Sequence, residues 1–347
     1  MPSTAQPSLP MPEISCVNPL SYRSALEQLF ADHGRADHSE FFARAYPGAV
    51  AEGAKAWIGA DHEGRVVMHA SRFPHSFVFG DVKVTGGLIV NILVATPYRT
   101  HHPARALFER FIEDSRTDRQ IDFLYTETTE RGANVLKAAG ARVIGRVGRF
   151  VLPIRGTKRG VDLAVKAYHH VRGIGTGAGR MTATHHPAAA FSCEAFDAPL
   201  GVADRLRGVH GLTLYRRRLK GYPTPLDHWI TVKGPNGPAA ALVRGPEANG
   251  LATLVKLNHP PSQTAATVLA MVPVLRQMEC RVVQIYTVAE SLFAGELRRA
   301  GFIERSSQRA GSVGRTSQPL VALPISPVGE DIVASIARWQ ITGLDLD

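Results

Sequence analysis

Between Leu88 and Phe150 the chain lays out a succession that few folds can accommodate. A long apolar strand, Leu88-Ile-Val-Asn-Ile-Leu-Val94, runs into the turn Ala95-Thr-Pro-Tyr-Arg-Thr-His-His-Pro-Ala104. The amphipathic spacing of Arg105-Ala-Leu-Phe-Glu-Arg-Phe-Ile-Glu113 predicts a helix. A second strand, Ile121–Thr126, precedes a short helix that glycine closes at Lys137-Ala-Ala-Gly140, and then Ala141–Gly145. A strand that turns sharply into a helix points the helix's first N–H groups and positive dipole end at whatever lies beyond the strand, which is how such corners hold phosphate.

Upstream, Ser21–Ala31 and His38–Tyr46 have helical spacing, with Ser21 and Ser39 near the expected N-caps. Lys55–Ala60 and Arg65–Ser71 flank the turn Asp61–Gly64 as a hairpin. Ser76–Phe79 and Val82–Val94 form the next, with Gly86-Gly87 marking a bulge. Two helices, a meander of strands and then alternating strand and helix describe an α/β protein with a mixed sheet. The second half repeats the plan. His228–Lys233 and Ala239–Arg244 flank Gly234–Gly237, and Leu251–Leu257 leads through Asn258–Ser262 to a helix from Thr264 to Met278. Strand Arg281–Tyr286 and helix Ala289–Arg299 follow, with a stop at Ala300-Gly301. A repeat of about half the chain indicates two copies of one architecture. The expected divisions are a flexible N-terminus (1–15), a first domain (16–155), a basic linker (156–195), a second domain (196–328) and a C-terminal helix and tail (329–347), with the helix over Asp331–Trp339.

Of the 347 residues 44% are hydrophobic and 20% charged, which describes a globular chain and not a disordered one. No apolar run is long enough to span a bilayer, and the Pro- and Ser-rich start lacks the pattern of a secretory signal. Three cysteines, Cys16, Cys193 and Cys280, show neither metal spacing nor an even count, so the expectation is a cytoplasmic protein without a metal. The net charge of +10 is concentrated: residues 141–220 hold 15 Lys/Arg against 4 Asp/Glu. That balance fits an acidic partner, such as CoA phosphates, an acyl carrier protein or an anionic saccharide, and equally a solvated linker face. Gly173–Gly179 follows no strand, so it reads as linker and not as a nucleotide loop, and Arg216-Arg-Arg218 stands without a nucleic-acid-binding motif.

In order and spacing these residues resemble the GNAT superfamily of acyl-CoA-dependent acyltransferases, in particular tandem members from bacterial polysaccharide gene clusters. Val94 and Arg99-Thr-His-His-Pro-Ala104 stand where the family has Val and (Arg/Gln)-x-x-Gly-x-(Gly/Ala). Glu296–Phe302 matches the end of its late helix, with terminal Gly-Phe, and Val135–Ala141 matches it more loosely, ending Gly-Ala. The resemblance implies an N-acyltransferase with two GNAT-like domains, each a twisted sheet passing from antiparallel to parallel. Its co-substrate would be acyl-CoA, its donor alternatively an acyl carrier protein, and its acceptor an amine such as an amino sugar. Leu93, Val94, Arg99, Thr100, His101, His102, Pro103 and Ala104 would hold the cofactor. His102 replaces the loop glycine, and Pro103 removes a donor at a helical position that tolerates proline. Leu136 and Leu297 stand where the family has its tyrosine, so the polar candidates for catalysis are Asn91, Tyr125 and Glu127, with Glu127 as base or as cap of the following helix. In the second half Asn258-His-Pro-Pro-Ser-Gln263 lacks both the arginine and a glycine, which marks a degenerate copy. The alternative is a GNAT-fold protein that binds or scaffolds without catalysis.

Overall fold

The computed structural model describes residues 10–35, 38–99, 101–156, 167, 181–187, 205–209, 227–234, 237–260, 263–305, 317–342 and 345. Strand β1 (Glu13–Val17) is followed by a 3-10 turn, Pro19–Tyr22, and by helices α1 (Arg23–Ala31) and α2 (His38–Ala51). Then come β2 (Lys55–Ala60), β3 (Val66–Phe79), β4 (Val82–Val94), α3 (His101–Asp118), β5 (Phe123–Glu127), α4 (Glu130–Ala138) and β6 (Arg142–Pro153). The second half supplies β7 (Thr182–Pro187), β8 (Leu206–Gly208), β9 (Asp227–Gly234), β10 (Gly237–Arg244), β11 (Leu251–Asn258), α5 (Thr264–Gln277), β12 (Val282–Val288) and α6 (Leu292–Arg299). It ends with β13 (Ile303–Arg305), β14 (Gln318–Pro324), α7 (Pro327–Ala334) and β15 (Trp339–Gln340).

These strands form one sheet, twelve of them in the order β1-β2-β3-β4-β5-β14-β6-β12-β11-β10-β9-β7, with β8 pairing β3 and β15, and β13 pairing β6, off that path. β1 to β4 are antiparallel, β4 and β5 parallel. β9, β10 and β11 are likewise antiparallel, and β11 and β12 parallel. The expected repeat of plan is therefore visible in the pairing, but the halves do not own separate sheets. β14 lies between β5 and β6, and the twelve residues of β6 pair with β14 from Arg142 to Val147 and with β12 from Val147 to Pro153.

Strand alternation sends the two faces of β5 into different cores. Phe123 and Tyr125 pack with Phe42 and Tyr46 of α2, Phe73 and Phe77 of β3, and Trp339. Leu124 packs with Phe108 and Phe111 of α3 and Leu136 of α4. α5 and α6 cover the second half through Met271, Leu275, Phe293 and Leu297. Arg72 is a buried cation on β3. It pairs with Asp118, donates to Ser115 Oγ at 3.0 Å and lies 5.5 Å from the Trp57 ring centroid, while Lys55 Nζ reaches Asp118 at 3.0 Å. These bonds fix the C-terminal end of α3 over the sheet, so that its N-terminal end stands at the end of β4.

Several expectations need correction. The bulge falls at Asn91, not at Gly86-Gly87: the β3–β4 register shifts between His69 and Ser71, opposite Asn91 and Ile92, and Asn91 has φ 55°. Gly86 is there for closeness, since a Cβ would stand 2.8 Å from the Phe77 and Phe123 rings. The cap of the first turn is Asn18, whose side chain accepts from the Leu20 N–H, and Ser39 lies inside α2, bonded to Glu27. β3 runs unbroken through two expected strands, and α3 begins at His101, so His101–Ala104 form its first turn. Thr182–Pro187, placed in the linker by composition, is an edge strand on β9. The C-terminal helix stops at Ala334, and Trp339-Gln340 form a strand. Residues 158–159, 173–179, 193 and 216–218 lie outside the described residues.

Gly86→Ala tests the close approach. Overpacking against two rings is expected to cost about 1–3 kcal/mol, read as a lower denaturation midpoint with unchanged slope. A midpoint equal to the parent's would show that the rings have room to move.

Candidate functional site

β4 and β5 pair only from Gly86–Leu88 to Phe123–Tyr125. Beyond that point Thr126 Oγ1 donates to Ile89 O at 2.9 Å, a side-chain bond where a ladder bond would otherwise stand. The last residues of β4, Val90 to Val94, are half-buried, unlike the buried Leu88 and Ile89 before them. On the α3–α4 side the core leaves only a void of about 10 Å³, lined by Ile89, Phe108, Ile112, Leu124, Leu136 and Val321. At the end of β4 the chain makes a 3-10 turn, Thr96–Tyr98, and enters α3. Arg99 folds back so that its Nε donates to Val94 O at 2.9 Å, and the residue stays exposed. His33 ties α1 to the corner: its Nδ1 donates to Leu29 O at 2.8 Å, and its Nε2 accepts from the Thr96 N–H at 3.2 Å. Pro103, in the first turn of α3, removes an N–H that has no partner within the helix. Leu93, Val94, Arg99 and His101–Ala104 are thus brought to one corner; Thr100 lies outside the described residues.

Asn91 occupies the bulge, and its polar groups belong to a closed ring of hydrogen bonds. A carbonyl only accepts, so His69 Nδ1 donates to Asn91 O, at 2.7 Å. His69 Nε2 then accepts from Ser71 Oγ at 2.9 Å, Ser71 Oγ accepts from Tyr46 OH at 3.2 Å, and Tyr46 OH accepts from Asn91 Nδ2 at 3.0 Å. His69, Ser71 and Tyr46 are fully buried. Burial pushes the imidazole of His69 down to about 4, against the bond to Asn91 that raises it and with a small lowering from His38. Burial likewise pushes the Tyr46 phenol up to about 12, although its bonds to Ser71 and Asn91 act the other way. Both groups are therefore neutral at pH 7, as the direction of the ring requires.

Tyr125, one residue before the strands part, points to the α2 side and is fully buried. Its hydroxyl bonds to His75 Nδ1 at 2.8 Å and donates to Asp345 O at 2.7 Å. The Asp345 carboxylate, also buried, meets Lys256 Nζ at 3.0 Å and the Thr342 N–H at 2.8 Å. Glu127 is half-buried at the end of β5, opposite Leu320 of β14. It does not cap α4: Thr129 does, accepting from the Gly132 N–H at 3.2 Å. Tyr125 and Glu127 share one face of β5, but Tyr125 is enclosed in the α2-side core while Glu127 is half-buried at the strand end.

The second corner is built differently. β11 and β12 also part, after four pairs to the three of β4 and β5, at Leu254 and Ile285, but the gap is filled by the chain itself. Thr287 Oγ1 donates to Ile341 O at 2.6 Å, and Lys256 Nζ donates to Gly208 O at 3.0 Å. At the start of α5 the Glu296 carboxylate accepts from Thr264 Oγ1 at 2.5 Å and pairs with Arg205 at 2.5 Å, all buried, beside His259 stacked on Phe293. Burial raises the Glu296 carboxyl, and the Arg205 and Thr264 bonds outweigh it and hold it below its ordinary value. A carboxylate of the chain thus stands where a helix N-terminus would receive an anion.

Sequence reasoning missed His69, Ser71, His75 and Tyr46. The signal was present: His69, Ser71 and His75 fall on alternate positions of a buried strand, where polar residues need partners. Among the described residues no group of three or more His, Cys, Asp or Glu side chains is placed to hold a metal. Likewise among them, no helix is long and apolar enough to cross a membrane.

Neither a protein-family model nor a curated protein matches this chain. Solved structures do. A probable N-acyltransferase from Enterococcus faecalis V583 superposes with a TM-score of 0.63 at 8% identity, over 91% of this chain and 73% of that one. A GCN5-related N-acetyltransferase from Kribbella flavida gives 0.60 at 14% identity, over 91% and 73%. Another from Anabaena variabilis ATCC 29413 gives 0.59 at 11%, over 91% and 74%. At such identities the likeness establishes architecture: the chain has the fold of the GCN5-related N-acetyltransferases.

Two outcomes test the buried groups. Folded His69 refuses the proton that the unfolded chain accepts near pH 6.5 until about pH 4. Its contribution to stability is therefore complete above about pH 6.5 and is withdrawn as pH falls toward 4. Between about pH 6.5 and 4.5 the parent should lose roughly 2 kcal/mol that a His69→Gln variant does not lose, by urea denaturation at each pH; parallel curves would refute it. Glu296→Ala should cost about 3–5 kcal/mol by stranding the Arg205 charge, and phosphate should restore part of it by occupying the vacated place. No recovery with phosphate would mean that the position is not an anion site.

Proposed function

We propose that this protein is an acyl-CoA-dependent N-acyltransferase whose site lies in the first half, within residues 16–155. The observation that carries the reading is the open end of β4. In the second half the corresponding gap holds the chain's own Ile341, Asp345 and Glu296, whereas Val90–Val94 end half-buried at a helix N-terminus. A pantetheine arm is a narrow chain of amides and methylenes, suited to strand-edge hydrogen bonding by Leu93 and Val94 and to apolar walls. Residues Thr100–Ala104 would receive the pyrophosphate with the N–H groups and dipole of α3, and Arg99 would add a charge-assisted contact.

In acyl transfer the acceptor nitrogen attacks the thioester carbonyl, a C–N bond forms and a C–S bond breaks. The amine must be neutral, so Glu127, at the mouth of the gap, would take its proton directly or through one water. Negative charge develops on the carbonyl oxygen beside the bulge at Asn91, and backbone amides there would stabilise it. The departing thiolate needs a proton, and in this scheme Tyr125 would be the phenol that supplies it. An amine on a small molecule, such as an amino sugar, is the acceptor this scheme takes, and an acyl carrier protein is an alternative donor.

One observation favours the second reading, a GNAT-fold binding protein without catalysis. The Tyr125 hydroxyl is held by both His75 and Asp345, and Leu136 is buried.

Calorimetry with acetyl-CoA and longer acyl-CoAs separates the readings from failure of both. Binding by the parent that Arg99→Ala weakens about tenfold is expected. Release of free thiol with amino-sugar acceptors, lost in Glu127→Gln while binding persists, selects the enzyme. Binding without turnover selects the second reading, and no binding by any acyl-CoA sinks both.

A further inference from the structure

The ring of hydrogen bonds at the bulge has one opening to function, which is the peptide between Asn91 and Ile92. Asn91 sits at φ 55°, a left-handed conformation that costs an L-residue about 1 kcal/mol and that asparagine tolerates better than most. Something must hold it there. The ring does, by gripping Asn91 at both its backbone carbonyl and its side-chain amide. The direction of all four bonds is fixed by chemistry, because one end is a carbonyl and the other an amide nitrogen. Every proton in the ring therefore has a single position, and every buried polar atom in it has its partner.

The consequence falls on the far edge of the same peptide. A trans peptide is planar, with C=O and N–H pointing in opposite directions. The Asn91 carbonyl is turned to the imidazole of His69 on β3. The N–H of Ile92 then points away from that imidazole. Asn91 and Ile92 have no register partner on β3, between the pairs Ser71–Val90 and His69–Leu93, and beside them β5 has already left the ladder, whose last pair is Leu88 with Tyr125.

We propose that His69, Ser71 and Tyr46 are positioning residues for acyl transfer: by closing a hydrogen-bond ring on Asn91 they aim the Ile92 N–H at the carbonyl oxygen of an acyl thioester lying in the β4–β5 opening. This rests on the acyltransferase reading above. The ring transfers no proton during the reaction. Its work is done before substrate arrives, since a donor already oriented needs no reorganisation when charge develops on the oxygen. His69 serves only in its neutral form with hydrogen on Nδ1, because a proton on Nε2 would remove the acceptor that orders Ser71. The three residues never touch substrate; they act through Asn91. None belongs to the strand–turn–helix stretch that holds the nucleotide part, so binding and polarisation are separable.

The test uses the full chain and acetyl-CoA labelled with 13C at the thioester carbonyl. Calorimetry reads binding, difference infrared spectroscopy reads the bound carbonyl stretch, and steady-state kinetics read turnover. In the parent the stretch should move to lower frequency than in free acetyl-CoA. Tyr46→Phe and Ser71→Ala should bind acetyl-CoA within about threefold of the parent, lose most of that frequency shift, and lower kcat by about 10- to 100-fold with little change in KM. Tyr46→Phe keeps the aromatic packing on Phe42 and Phe73, so it carries the test where Ser71→Ala proves too unstable. A carbonyl that shifts equally in parent and variants overturns the proposal, as does a parent that binds and turns over acetyl-CoA without any shift. A parent that binds no acyl-CoA overturns the acyltransferase reading first, and the calorimetry alone shows which of the two has failed.

Discussion

When two parallel strands part, each is left with an edge of N–H and C=O groups that no longer have ladder partners, and inside a protein every such group must be answered. This chain meets that demand twice. β4 and β5 part beyond Leu88 and Tyr125, and β11 and β12 part beyond Leu254 and Ile285. The second parting is answered from within: Ile341 receives Thr287, Gly208 and Asp345 receive Lys256, and Glu296 takes the start of α5. Among the described residues the first is answered by Thr126 bonding to Ile89, His69 bonding to Asn91 and Arg99 covering Val94, and its end, Val90 to Val94, stays half-buried. The asymmetry between the two corners is what supports the proposal of a ligand at the first and a structural role for the second.

The two halves also depend on each other through β6. Its first residues pair with β14 and its last with β12, with Val147 common to both ladders. β5 has β14 as its outer neighbour, so the strand carrying Tyr125 and Glu127 is registered by a strand almost two hundred residues away in sequence. Tyr125 is registered again by Asp345, which Lys256 of β11 holds in turn. A gap in the first half is thus framed by elements of the second, and a filled second corner is a condition for the geometry of the open one. That gives a structural role to a second half whose own corner holds a carboxylate of the chain.

Much of the frame is readable from local pattern. The apolar run at Leu88, the helical spacing after it, the glycines after α4 and α6, and the repeat of plan all express short-range physics: period, capping and turn chemistry. Asn91 stood out as the polar residue of an apolar strand, and the structure shows why it is polar. What the sequence does not carry is pairing over distance. The Gly86-Gly87 pair suggested a bulge because glycine permits one, yet two phenylalanine rings from β3 and β5 are what require its absence of side chain. Glu296 reads as an ordinary helix residue until Arg205 and Thr264 meet it. Composition suggested a linker through 182–187, where alternation on the edge of β9 makes a strand.

The chemistry asked of such a site can be weighed. A single preorganised amide at a developing oxyanion contributes about 2.7–4 kcal/mol, and a positioned general acid or base a factor of about 10²–10⁴. These are comparable, so a site short of one can function on the other together with proximity, which alone reaches about 7–11 kcal/mol. Here α4 presents Leu136, and the Tyr125 hydroxyl is bonded on both sides. The balance therefore moves toward the backbone at the bulge. A backbone donor is only as good as the peptide that holds it, and a left-handed asparagine at a strand end is a soft place for a rigid donor. Four hydrogen bonds of fixed direction, three of their residues fully buried, supply the stiffness that the strand has lost by parting from its neighbour.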